Sequence, residues 1–138
     1  MRNLLLAIAT CICSTLYCQT NNNSKIYYSA QSIILKVKKD ETTIAEKPYG
    51  SNVTIAYDTF FKSFEIRFTD EKNVKQVIFL YYVREYPDEI FRNIMGYYKD
   101  GWDSPYLIFN ALPKGYLSFT AMEQIEGHDF TYIIDGIK

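Results

Sequence analysis

Apolar side chains recur at every second position along much of this chain, and that alternation limits what it can become. In Ser32 to Lys38, Ile33, Leu35 and Val37 share one face while Ser32, Lys36 and Lys38 share the other. Val53, Ile55 and Tyr57 repeat the pattern within Asn52 to Asp58. Between Phe60 and Thr69, Phe64, Ile66 and Phe68 alternate with Ser63, Glu65, Arg67 and Thr69. Successive side chains of an extended chain point to opposite faces, so each run reads as a strand with one face on a core and one in water. A helix would scatter the same residues around its axis.

Val74 to Arg84 departs from this pattern. Its run Val77-Ile78-Phe79-Leu80-Tyr81-Tyr82-Val83 is apolar on both faces. It predicts the most buried strand, or one covered on its outer side. Further strands are expected at Tyr97-Tyr98, Tyr106 to Phe109, Tyr116 to Met122 and Phe130 to Ile134, with a weaker one at Thr42 to Glu46. Turn signals separate the runs at Lys39-Asp40-Glu41, Pro48 to Asn52, Asp70 to Asn73, Asp100-Gly101, Pro113-Lys114-Gly115 and Glu126-Gly127. Connections this short join antiparallel neighbours, because a parallel crossover needs a dozen or more residues.

One segment reads as helical, near 87–95. Pro87 suits a first helical position, and Asp88 and Glu89 suit a first turn. Ile90, Phe91, Ile94 and Met95 form a stripe at helical spacing, and Gly96 would end it. The fold expected is therefore all-β and mainly antiparallel. It is a single-domain meander barrel of lipocalin-like architecture, or a two-sheet sandwich, with one short helix.

Composition agrees. The chain carries 13 Tyr, nine Phe and one Trp, and aromatic rings pack well on a pleated surface. Tyr recurs in pairs at Tyr27-Tyr28, Tyr81-Tyr82 and Tyr97-Tyr98. In a strand each pair sends one ring inward and one outward, which strand propensity alone explains. With 15 basic and 16 acidic residues the net charge is −1, and no basic face for nucleic acid is expected. Lys36, Lys38 and Lys39 are the only tight basic cluster, and Asp40 and Glu41 follow them directly.

The first eighteen residues read as an export signal. Met1 to Asn3 form a short positive start, and Leu4 to Leu16 is an apolar run too short to span a bilayer. All three cysteines, Cys11, Cys13 and Cys18, lie in this leader. The expected division is a signal at 1–18, a polar tether at 19–25 and one β domain at 26–138. Cleavage after Cys18 is expected, with lipidation of Cys18 as the rival, although Tyr17 is bulky for the residue before a modified cysteine. Either outcome places the domain outside the cytosol, in the periplasm, on the cell surface or secreted. No segment after the leader has the length of a transmembrane helix, and a core without disulfides must hold by packing alone.

Catalytic signals are sparse. The one histidine, His128, sits in Glu126-Gly127-His128-Asp129, where Asp129 is a strand neighbour and points to the opposite face. It reads as a turn residue. No serine has nucleophile-elbow spacing, and no glycine-rich phosphate loop is present. One histidine and no cysteine after the leader disfavour zinc and iron sites. Asp100 and Asp103 lack calcium-loop spacing, and no cofactor is expected. The same segment holds the lone tryptophan, so Trp102, Tyr98, Asp100 and Asp103 are the candidate ligand or partner contacts. An exposed aromatic beside carboxylates suits stacking on a sugar or anchoring a protein contact, and the plainer reading is that Trp102 caps the core.

These features predict a non-enzymatic binding module for a small ligand or glycan. The alternative is a protein–protein interaction or inhibitor protein of the cell envelope, acting on another exported protein. A carboxylate-based hydrolase is the third reading.

Overall fold

Alternation along the chain becomes a closed eight-stranded barrel. The computed structural model describes residues 24–86, 92–99 and 102–138. The strands are β1 (Lys25–Lys39), β2 (Thr42–Asp58), β3 (Ser63–Asp70), β4 (Lys75–Glu85), β5 (Arg92–Lys99), β6 (Trp102–Ala111), β7 (Tyr116–Ala121) and β8 (Asp129–Asp135). Each strand bonds to the next in sequence, and β8 returns to β1. All neighbours are antiparallel, and the closing seam runs from Ile34↔Ile133 to Lys38↔Asp129. The architecture is the lipocalin-like meander barrel, not the sandwich.

An antiparallel meander has two distinct ends. The base holds the start of β1, the β2–β3 and β6–β7 connections and the final residue. The crown holds the β1–β2, β3–β4 and β7–β8 connections, the end of β5 and the start of β6. Two crown turns are two residues long with both at positive φ: Asp40 and Glu41 (48° and 64°), and Glu126 and Gly127 (53° and 73°). That geometry matches the twist of the flanking strands. His128 closes the second turn through paired backbone bonds with Ile125, of 3.0 and 3.1 Å. Asp129 accepts a hydrogen bond from Gln124 Nε2 at 2.9 Å.

The middle of the barrel is filled. Ile33, Val53, Ile55, Phe64, Ile66, Leu80, Met95, Ile108, Leu117, Phe119 and Ile134 are all buried and form one cluster. Burial of each such side chain stabilises by roughly 1.5–3 kcal/mol relative to exposure. Aromatic rings extend the cluster toward the crown: Tyr132 stacks on Phe119 at 4.9 Å and meets Tyr49 edge-on at 4.8 Å. A barrel of this strand number is just wide enough for side chains to fill.

Bulges let the long strands curve. The β1–β2 register shifts after Ile33 and after Val37, and the β2–β3 register shifts between Ser51 and Thr54. Asn52 lies in the β2–β3 irregularity at φ 53°. In β1 the inward side changes parity: Tyr28 and Ala30 pack on the core, and so do Ile33 and Leu35 further on.

Three sequence expectations need correction. Pro48 to Asn52 is no turn, because β2 runs through it from Thr42 to Asp58. Pro48 falls just before Gly50, the first β2 residue with a β3 partner, an edge position that tolerates a missing N–H. Gly50 is needed for space, since a side-chain carbon there would overlap the Phe68 ring.

The helix near 87–95 is also absent over its described part. Arg92–Lys99 is strand, and residues 87–91 lie outside the described residues. Ile94 and Met95 are both buried (6% and 1% exposed), which mimics a helical stripe without being one. Gly96 does not end a helix; it pairs with Tyr81, whose ring occupies the space a side chain would fill.

Finally, β4 is not the most buried strand. Leu80 is fully buried, but Val77, Phe79 and Val83 on its outer face are 50%, 45% and 52% exposed.

Candidate functional site

Room for a ligand exists at the base rather than in the filled middle. A cleft of about 620 Å³ lies there, within the range of roughly 300–1,000 Å³ typical of small-molecule sites. One wall is Ile26 and Tyr28 from β1 with Tyr57 from β2. Ile26 faces Tyr57 across the ladder, so these side chains belong to one surface. The other wall is Phe109, Asn110 and Ala111 at the end of β6, Leu112, Pro113 and Lys114 in the connection, and Tyr116 at the start of β7. Two further hollows of about 340 and 330 Å³ are rimmed by charged side chains, among them Asp70, Glu71 and Lys72 in one and Lys25, Glu65 and Arg67 in the other.

Local bonding fixes the second wall. Leu112–Lys114 forms a single 3-10 turn with Pro113 at its start. Asn110 Oδ1 accepts from the Leu112 N–H at 3.1 Å, and the Leu112 carbonyl accepts from the Gly115 N–H at 2.8 Å. Gly115 has φ 76°, a left-handed conformation that glycine adopts without steric cost. Its carbonyl accepts from Ile137 N–H at 3.0 Å, while Lys138 and Ser29 exchange backbone bonds of 2.9 and 3.0 Å. The last residues thus tie the β6–β7 connection to β1. Leu112 is buried and seals the core beneath the cleft.

The first wall rests on ring packing and one carboxylate. Tyr57 stacks on Phe64 with centroids 4.7 Å apart, while across the cleft Phe109 meets Tyr116 edge-on at 5.8 Å within the second wall. Asp58, only 7% exposed, accepts from the Phe60 and Phe61 N–H groups at 2.9 and 3.0 Å and from Ser24 Oγ at 3.3 Å. The Phe61 N–H contributes most to holding its carboxyl below the ordinary carboxylate range; burial opposes it, and the Phe60 N–H, the Ser24 hydroxyl and the Lys25 charge add smaller lowering contributions. The turn that Asp58 organises presents Phe60 and Phe61 at 74% and 64% exposure.

Among the described residues, no histidine, cysteine or carboxylate lines the cleft. Its polar side chains are three tyrosines, Asn110 and Lys114, a set suited to orienting a ligand and poor in acid–base pairs. Among the described residues no group of three metal-ligating side chains comes together.

The described candidates read from sequence, Tyr98, Trp102 and Asp103, occupy the crown instead. Register sets Tyr98 opposite Asp103 and Lys99 opposite Trp102, so Tyr98, Trp102 and Asp103 do gather at one hairpin tip. Asp100 and Cys18 lie outside the described residues. Sequence reasoning missed the base cleft altogether. Its signals were present only as fragments: an aromatic pair at Tyr27-Tyr28 and a turn at Pro113-Lys114-Gly115. No family model, curated protein or solved structure matches the chain.

Proposed function

We propose that the protein is a non-enzymatic binding module that holds a small, mainly apolar ligand in the base cleft. The observation that carries this reading is the cleft itself, about 620 Å³ with one charged side chain among its described lining residues. Apolar walls with a few placed polar groups are the usual composition of a small-molecule site. The apolar leader supports action outside the cytosol, with the domain released after residue 18 or tethered through Cys18. Palmitate labelling that persists in Cys18→Ala would rule out the tether.

The test is filling the cleft. The intact chain is expected to take up a hydrophobic fluorescent dye and to release it to competing apolar compounds. Ala111→Trp is expected to abolish uptake while the thermal midpoint stays near that of the parent. Equal dye uptake by the parent and a correctly folded Ala111→Trp variant would overturn the reading.

A second reading, contact with another exported protein, has its own support. Val77, Phe79 and Val83 form an exposed apolar strip along the outer face of β4, and such strips mark interaction surfaces. Pull-down from envelope extract with Phe79→Lys as control tests it; a partner retained by that variant counts against the strip.

A further inference from the structure

We infer that the cleft selects a monoanionic amphiphile, with Lys114 as the group that recognises its acidic head. The inference rests on the binding reading above and adds a charge to the ligand. Its ground is the chemistry of the lining side chains. Among the described lining residues Lys114 is the only charged one, and none of them is a carboxylate that would neutralise it. Lys114 is exposed, and it belongs to none of the ion pairs formed among the described residues, which are Lys36–Glu46, Lys62–Glu85 and Arg67–Glu65. Its ammonium is therefore available to a ligand.

The other polar groups point the same way. Asn110 already uses its Oδ1 to accept from Leu112, which leaves its amide hydrogens to donate. The hydroxyls of Tyr28, Tyr57 and Tyr116 can each donate as well. A rim of donors and one cation beside apolar walls favours a ligand that brings acceptors and a negative charge. A hydrocarbon body fills the walls, and a carboxylate or similar single-charge head meets Lys114 in a charge-assisted hydrogen bond.

Position fixes how such a ligand lies. Lys114 ends the 3-10 turn of the second wall, while Ile26 and Tyr57 stand on the first. The acidic head stays at the solvent-facing edge, where Lys114 keeps its own hydration, and the body runs between the walls. Nothing in this arrangement requires burying a charge, which would be costly.

The test compares dodecanoate, dodecanol and dodecyltrimethylammonium, each below its micelle concentration, by calorimetry on the intact chain. Dodecanoate is expected to bind roughly three- to tenfold more tightly than dodecanol, with the cation weakest. In Lys114→Gln the preference for dodecanoate over dodecanol, read as the ratio of the two affinities in that variant, is expected to vanish. Equal binding of dodecanoate and dodecanol by the parent chain, or a preference that survives in Lys114→Gln, overturns the role of Lys114 and leaves the cleft standing. Failure of all three probes to bind overturns the cleft reading together with this one.

Discussion

Asp58 shows how much one side chain can hold at the base. It lies beside Tyr57 in sequence, accepts both amides of the exposed Phe60-Phe61 pair and receives the Ser24 hydroxyl. Asp70 does the same work at the crown, accepting from Val74 and Lys72 N–H groups and from Gln76 Nε2, each at 2.9 Å. Both carboxyls are held below the unfolded value of 3.8, Asp70 chiefly by the Val74 N–H. The sign follows from that direction. The folded state binds protons less readily than the unfolded chain, so these groups stabilise fully above the unfolded pKa. Their contribution is lost as pH falls through the lower folded values. Asp58→Ala is expected to cost about 1–2 kcal/mol at neutral pH, since it strips partners from amides at a turn. Asp58→Asn, which keeps an acceptor but cannot ionise, is expected to flatten the acid limb of a urea-midpoint-against-pH curve. An unchanged acid limb in Asp58→Asn would show that this carboxylate plays no part in acid unfolding.

Strands β4 and β5 show where pattern reading succeeds and where a neighbour changes the outcome. Alternation located the inner faces of Ser32 to Lys38 in β1, Asn52 to Asp58 in β2 and Ser63 to Thr69 in β3, because half-buried strands write their orientation directly into sequence, but it did not carry across the bulges of β1 and β2. β5 hid its period. Ile94 and Met95 are adjacent yet both buried, and Gly96 carries the cross-strand ring of Tyr81. Consecutive burial and a glycine are also what a helix end displays, so local sequence could not separate the two. In β4 the apolar outer face looked covered and is exposed. Its residues are therefore expected to differ sharply in their contribution to stability. Leu80→Ala should cost about 2–5 kcal/mol in urea unfolding, while Phe79→Lys on the same strand should shift stability by no more than about 0.5 kcal/mol. Similar losses from both would mean that the outer face is packed after all.

For the molecule as a whole, the antiparallel meander was legible, its closure was left open against a two-sheet sandwich, and the cleft was not legible. Short turns between alternating strands leave few topologies, and an even meander can join its last strand to its first. The cleft depends on Ile26 and Lys114 meeting at one end, a coincidence set by strand number and register that no local spacing records. Ile137 and Lys138 finish that end by bonding to Gly115 and Ser29. Removing both is expected to lower stability by roughly 2 kcal/mol, given the burial of Ile137, and to weaken dye uptake beyond what the stability loss explains. Full-strength uptake in the shortened chain would show that this tie does not shape the cleft. The β1–β8 seam has a kinetic side too. Ile34 must wait for Ile133 before its ladder is complete, and contacts so remote along a chain form slowly. Until then both margins of the nascent sheet stand open to any other extended polypeptide. The hazard this protein carries thus lies in its immature form, where crowding by copies of itself competes with the final docking event.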